Sequence, residues 1–203
     1  MIPAAQPLIA ELECVLSRAP VAWRSNALRR LTDLFMVDAE FYSDDQVAVF
    51  DDVISRLIDN MDRRPLAELS KRLAELKRAP LNVVATLARN TDLAIAGPLL
   101  EKSSVLSDAI LVEVADKTRD PSLLSTIVTR PQLSEAVTEV LIRRGTPAIA
   151  RKILDNADAH ISEASFARLV TSLDNDKEMA AAIAKRPDLP AELRPWLDMT
   201  LAG

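Results

Sequence analysis

Apolar residues recur every three or four positions through most of this chain, and the rhythm breaks at prolines and at acid or hydroxyl residues. Leu8, Ile9, Leu12, Val15 and Leu16 predict a first helix over 4–18, ending near Ala19-Pro20. Trp23, Ala27, Leu28, Leu31, Leu34 and Phe35 predict a second over about 20–38. Asp44-Asp45 then reads as the cap of a third, which carries Val47, Val49, Phe50, Val53, Ile54, Leu57 and Ile58. Arg63-Arg64-Pro65 opens a fourth that runs through Leu66, Leu69, Leu73 and Leu76 to a stop at Ala79-Pro80. Shorter helices are predicted over about 82–90 and 92–102. Pro98 falls inside the second of these, where it removes a backbone donor, so that helix is expected to begin near Pro98 or to kink.

From residue 104 onward the pattern repeats. Leu106-Ser107-Asp108-Ala109 returns as Leu133-Ser134-Glu135-Ala136 and as Ile161-Ser162-Glu163-Ala164, at steps of 27 and 28 residues. A further 28 lands on Leu189-Pro190, and 25 upstream of Leu106 lies Leu81-Asn82. The slot reads as an apolar staple, a capping hydroxyl and an acid at the positive end of a helix dipole. Behind the cap, Ala109, Ala136 and Ala164 form a small-residue position, and Val114, Leu141 and Leu169 with Ala115, Ile142 and Val170 a bulky one. Together they are expected to form the packing face.

A second helix in each unit starts at Asp120-Pro121, Thr146-Pro147 and Asp174, with Leu124, Ile127, Val128, then Ile149, Ile153, Leu154, then Met179, Ala182, Ile183 as its apolar sets. A last helix is expected near 190–201, carrying Leu193, Trp196, Leu197 and Met199. Units this short bury their apolar faces only by stacking on neighbours. The expected fold is therefore all-α: a right-handed α-solenoid of HEAT-like helix pairs with a period of about 27–28 (residues 80–203), preceded by an N-terminal helical bundle or cap (residues 1–79).

Composition agrees with that picture. The chain is 49% hydrophobic but 3% aromatic, so its core is built from Leu, Val, Ile and Ala. Three glycines argue against phosphate-cradling loops, and twelve prolines suit many short helices. A net charge of −5 gives no global attraction to nucleic acid. One cysteine, Cys14, excludes an intramolecular disulfide and points to a reducing compartment. With no membrane-length apolar run and no basic leader before the first residues, the expected setting is the cytoplasm.

The run Leu99-Leu100-Glu101-Lys102-Ser103-Ser104-Val105-Leu106-Ser107-Asp108 carries a resemblance. With Arg130-Pro131-Gln132-Leu133-Ser134, Arg143-Arg144-Gly145 and Leu154 through Ser162, it is similar to the bacterial domain of unknown function 2336, over about residues 25–190. That resemblance implies a HEAT-like helical repeat with no established activity, and relatives with a further C-terminal segment. Arg186-Pro187-Asp188-Leu189-Pro190 also resembles the leucine-rich variant repeat. Proteins with that repeat can carry a cysteine-bound iron–sulfur cluster, for which this chain lacks the cysteines, so no cofactor is implied.

Chemistry-bearing residues are few. His160 is the only histidine and stands at a helix entrance, Cys14 lies beside Val15 and Leu16, and neither has a metal-ligand partner nearby. Asp44-Asp45 sits where acids suit a helix start, and Asp51-Asp52 is expected on a solvated face. Asp174-Asn175-Asp176 opens like a calcium loop but has Met179 and Lys185 where that loop needs glycine and glutamate. No catalytic, metal or cofactor residue is assigned, and no nucleophile–base pair is evident.

Arg89, Arg130, Arg144 and Arg186 form the clearest charged set, because each ends a helix just before a turn. Locally, such cations bond free carbonyls and suit the helix dipole. Functionally, they are the candidate partner-binding residues, lining one edge of the array. The expected function is a non-catalytic, regulatory interaction scaffold for a protein or peptide. The alternative is a nucleic-acid binder tracking a phosphate backbone with this arginine ladder. The aromatic-bearing N-terminal bundle adds a homodimer interface as a further candidate.

Overall fold

A computed structural model of the protein describes residues 20–174 and 176–202. The helix expected over 4–18, with Cys14, lies outside the described residues. Among the described residues the chain is all-α. It has twelve α-helices and no strand, and one isolated parallel bridge joins Leu133 to Ala159. By its contacts the chain divides into two compact units, Met1–Leu106 and Ser107–Gly203.

The first unit contains α1 (Val21–Val37), α2 (Asp44–Ile58), α3 (Arg63–Leu73), α4 (Leu81–Ala88) and α5 (Leu93–Lys102). Alternate helices pack in rows, α1 on α3 and α3 on α5 in one, α2 on α4 in the other. The core between them holds Phe35, Ile54, Leu73, Val83, Val84, Leu99 and Leu100, all fully buried. Phe35, Tyr42 and Phe50 meet as a ring cluster with centroids 5.0–5.7 Å apart. The Tyr42 hydroxyl donates to the Leu34 carbonyl at 3.1 Å, which turns that ring inward.

Several local expectations change. The cap of α2 is Ser43, not the acid pair: Ser43 and Gln46 form a reciprocal capping box, and Asp44 and Asp45 occupy the first turn. Helix α3 ends at Leu73 rather than at Ala79, and a Leu76 N–H to Leu73 carbonyl turn follows it. Helix α5 starts at Leu93 and contains Pro98, because Asp92 caps it by accepting from the Ala94 N–H at 2.9 Å. Leu81 is exposed, so it does not fill the staple slot that Leu106, Leu133, Ile161 and Leu189 fill by being buried.

Asp51 corrects a second expectation. It is buried, not solvated, and its two carboxylate oxygens accept the Asn82 and Val83 N–H groups at 2.9 Å each. Helix α4 follows Pro80 and has no cap from its own N-cap residue, so α2 caps it from outside. Asp52, one residue on, is exposed and pairs with Arg56 at 3.0 Å.

The second unit contains α6 (Asp108–Lys117), α7 (Pro121–Ile127), α8 (Glu135–Arg144), α9 (Pro147–Asp155), α10 (Glu163–Thr171), α11 (Lys177–Ala184), a 3-10 turn (Ala191–Leu193) and α12 (Arg194–Ala202). Helices α6, α8 and α10 pack in sequence, α9 packs on α11, and each pair α6/α7, α8/α9 and α10/α11 is in contact. The bulky position is buried as expected at Val114, Leu141 and Leu169. The small position is not: Ala109, Ala136 and Ala164 are exposed, and the buried places one or two residues on are Leu111, Val137 with Thr138, and Ser165 with Phe166. In a first turn, side chains three and four residues behind the cap share the face of those at seven, whereas the second position points away.

The hydroxyl caps hold their positions, but only Ser162 makes the cap bond, accepting from Ser165 N–H at 3.2 Å. The Ser134 hydroxyl is buried without a partner. Helix α11 is capped by Asp176, two residues later than Asp174. Gly145 admits no side chain, since a Cβ there would lie 2.9 Å from Ile149 Cγ2 and closer still to the Leu141 carbonyl oxygen.

The two neighbouring acids on α2 make opposite predictions. Replacing Asp51 by Ala leaves two N–H groups of α4 uncapped and should cost about 1–2 kcal/mol of unfolding free energy. Replacing Asp52 by Ala should cost no more than about 0.5 kcal/mol. Urea denaturation of the two variants checks this, and equal effects would show that the buried carboxylate does not hold α4.

Candidate functional site

Helices of seven to ten residues leave nearly as many free carbonyls at their ends as they satisfy internally. In the second unit, polar side chains from the next repeat take up several of them. Arg186 is 5% exposed; its guanidinium donates to the Asn156 carbonyl at 2.6 Å and the Ala159 carbonyl at 2.7 Å. Two further N–H groups grip Asp188 at 2.8 Å. Asn156 in turn donates from Nδ2 to the Arg130 carbonyl at 3.0 Å. Each link spans about one repeat, so the loops 130–133, 156–160 and 186–189 are tied in series. Between the first two of these loops, His160 N–H donates to the Leu133 carbonyl at 2.9 Å, and the fully buried Thr138 donates to the His160 carbonyl at 2.5 Å.

Arg144 does the same on another edge. It donates to the Asp116 carbonyl and, at 2.9 Å, to the Thr118 carbonyl, both at the C-terminus of α6. Its neighbour Arg143 pairs with the Asp116 carboxylate at 2.9 Å, and Arg151 with Glu178 at 2.5 Å. Arg130 is half-buried; burial lowers its guanidinium below the ordinary value while the Asp108 carboxylate opposes that shift, and it stays charged. Arg89 is the exposed C-cap of α4 in the first unit, its N–H bonded to the Ala85 carbonyl at 3.2 Å. The four arginines thus have different local surroundings. Arg144 and Arg186 hold carbonyls of the preceding repeat, which is the local role of such arginines carried across repeats. Thr138 and Asn156 carry the same seam; Asn156 stands in the motif piece Leu154 through Ser162, but only its place after a helix, 26 residues beyond Arg130, hints at this role.

Among the described residues no group of three or more His, Cys, Asp or Glu side chains is placed to hold a metal ion. No described helix is long and apolar enough to cross a membrane.

The first unit presents a different kind of surface. Leu28, Thr32 and Phe35 face inward from α1, and the Thr32 hydroxyl is satisfied by the Leu28 carbonyl at 2.7 Å. On the opposite side Trp23 is 49%, Leu34 57% and Val37 74% exposed, and Phe41, in the turn after the helix, 84%. At about 100° per residue, Trp23, Ala27, Arg30, Leu34 and Val37 fall within a stripe about 80° wide. Phe41 points outward because Tyr42 beside it is drawn into the ring cluster. One flank of α1 is pinned to α3 by Arg72, which pairs with Asp33 at 2.6 Å and touches Met36 Sδ at 3.2 Å. Between α1 and α3 lies a cleft of about 250 Å³ rimmed by Arg29, Arg64 and Arg72 over Leu28 and Leu69.

The family model of an uncharacterised protein conserved in bacteria, domain of unknown function 2336, matches residues 95–201. The chain belongs to this family. The matched stretch contains the motif pieces that carried the resemblance, from Leu99 to Ser162, and begins well after residue 25. It also contains the whole seam of Arg130, Thr138, Arg144, Asn156 and Arg186, whereas α1 precedes it. No curated protein and no solved structure matches the chain.

The seam predicts unequal costs for the arginines. Arg186→Met leaves two loop carbonyls and Asp188 without their donor in a buried place, and should cost about 3 kcal/mol. Arg144→Met, at a more exposed edge, should cost about 1 kcal/mol. Chemical denaturation of the two variants tests the order. An Arg186 variant as stable as the parent would show that the seam carries no stability.

Proposed function

We propose that the chain is a non-catalytic protein-interaction scaffold whose contact surface is the outer face of α1. The observation that carries this reading is the row Trp23, Leu34 and Val37 along one side of α1, with Phe41 in the turn that follows it, four large exposed apolar side chains. Together they present on the order of 500 Å² of apolar surface, as large as the biggest patch on a typical monomer, and such patches mark contact sites. Two of the four are aromatic, the residue class enriched at the centres of protein interfaces.

The repeats of 107–203 are, on this reading, HEAT-like pairs stacked in a right-handed solenoid, which the row of α6, α8 and α10 supports. Their arginines serve the stack, so the contact surface falls in the first unit. A nucleic-acid backbone would need those guanidiniums free, and Arg144 and Arg186 are committed to carbonyls. A cytoplasmic, regulatory setting goes with the scaffold reading.

Affinity capture from bacterial lysate, with the tagged full chain and its Leu34→Asp variant as baits, tests the proposal. Proteins recovered by the parent, further copies of the chain included, should fall about tenfold with the variant, as for the loss of a central contact. Equal recovery by the two baits, or nuclease-sensitive recovery of nucleic acid in place of protein, would overturn it.

A further inference from the structure

The outer face of α1 is built to meet itself. We propose that two copies of this chain pair through α1 in antiparallel fashion about a two-fold axis passing beside residue 32; this deepens the scaffold reading and rests on it. Under such an axis each residue meets the one equally far from residue 32 on the other side. Ala27 then faces Val37 of the second copy, Arg30 lays its aliphatic stem on Leu34, and Trp23 lies toward the end of the partner helix, where the turn carries Phe41. Every exposed apolar position of the stripe meets an apolar, small or long-stemmed side chain, and none is left over. An isologous contact requires this self-complementarity, which a surface made for an unrelated partner has no reason to show.

Charge follows the same axis. On the N-terminal side of residue 32, α1 carries Arg24, Arg29 and Arg30, and on the C-terminal side the helix and its turn carry Asp33, Asp38 and Glu40. Antiparallel pairing sets the basic half of one copy against the acidic half of the other. On one flank Arg30 comes beside Asp33; on the other, Arg24 comes beside Asp38. Arg24 already reaches across its own unit to the carbonyls of Asp59 and Asn60, at 3.1 and 3.2 Å, which holds its guanidinium in place without neutralising it. Asp33 keeps exposed surface although it pairs with Arg72. A parallel arrangement would instead place arginine against arginine and acid against acid, which opposes association.

Two stripes of on the order of 500 Å² bury about 1,000 Å² when paired, which meets the lower size expected of a specific interface. With Arg30 in the centre of the stripe, the pairing belongs to the weak, concentration-dependent class rather than to obligate dimers. Salt should loosen it, because its flanking charges lie at the exposed rim.

The test uses the full chain in sedimentation equilibrium from about 1 to 100 µM, a range that spans a weak interface of this size, with two sets of variants. The parent should dimerise, and Leu34→Asp and Val37→Asp should each raise the dissociation constant at least about tenfold. Both positions are exposed, so neither change disturbs the core. In a Cys14→Ser background, the pair Ala27→Cys with Val37→Cys should oxidise to a covalent dimer. Either cysteine alone should not, since its own copy lies about 15 Å away along the helix, beyond disulfide reach.

A parent that stays monomeric to 100 µM overturns the proposal, whether residues 1–19 or another protein occupies the stripe. In that case continued loss of captured protein with Leu34→Asp would leave the scaffold reading standing. A dimer unchanged by both aspartates, or a cross-link formed by Ala27→Cys alone, overturns it as well, the first by moving the interface and the second by changing the register.

Discussion

Short helices cannot satisfy their own ends, and the second unit depends on how that deficit is met. A helix of nine or ten residues leaves about four carbonyls free at its C-terminus. Water satisfies those on the surface, but the loops between stacked pairs are partly closed off by the next pair. There the chain supplies donors from one repeat onward: Arg186 to the Asn156 and Ala159 carbonyls, Asn156 to the Arg130 carbonyl, Arg144 to the end of α6. Each donor satisfies a backbone carbonyl and fixes the offset between consecutive loops. Apolar packing, as at Val114, Leu141 and Leu169, supplies the burial, but leucine faces alone slide more easily than a guanidinium seated on two carbonyls and a carboxylate. The first unit solves the same problem differently. Asp51 of α2 supplies acceptors to the N-terminus of α4, where the chain itself offers only Pro80.

The same accounting separates the two kinds of arginine in this chain. Arg144 and Arg186 are drawn inward by carbonyls one repeat back, and their sequence positions at helix ends suit that role. On α1, Arg24 likewise holds the Asp59 and Asn60 carbonyls of its own unit, whereas Arg29 and Arg30 flank the apolar stripe exposed. Charge count alone does not distinguish them, because the two groups are of one residue type; neighbours do.

Much of the helical layout was legible in the sequence, because apolar periodicity, proline and capping residues are local signals. The starts after Asp120 and Thr146 and the buried staples Leu106, Leu133 and Ile161 all follow from them. What local pattern could not show is which residue meets a distant one. Asp51 read as a solvated acid because its two donors lie 31 and 32 residues on. Ala109, Ala136 and Ala164 read as packing positions because they are small and regular, yet the phase of the first turn points them outward. Arg144 and Arg186 were visible as a set, but their carbonyl partners are backbone atoms and leave no mark in the sequence. The outer stripe of α1 was hidden for a simpler reason. Trp23 and Leu34 were placed with Leu28 and Phe35 on a single helix, and only the packing of α2 and α3 shows that α1 has two apolar sides.

Helix α1 has an apolar face on each side, one filled by its own unit and one exposed among the described residues. Trp23 reports on the second side directly. In a Trp196→Phe variant, which removes the other indole, the fluorescence of Trp23 can be followed as the full chain is concentrated. If the outer face is an interface between copies, the emission maximum shifts to the blue as concentration rises through the dissociation constant, and Leu34→Asp abolishes the shift. An emission maximum that stays at the same wavelength at every concentration would contradict the account.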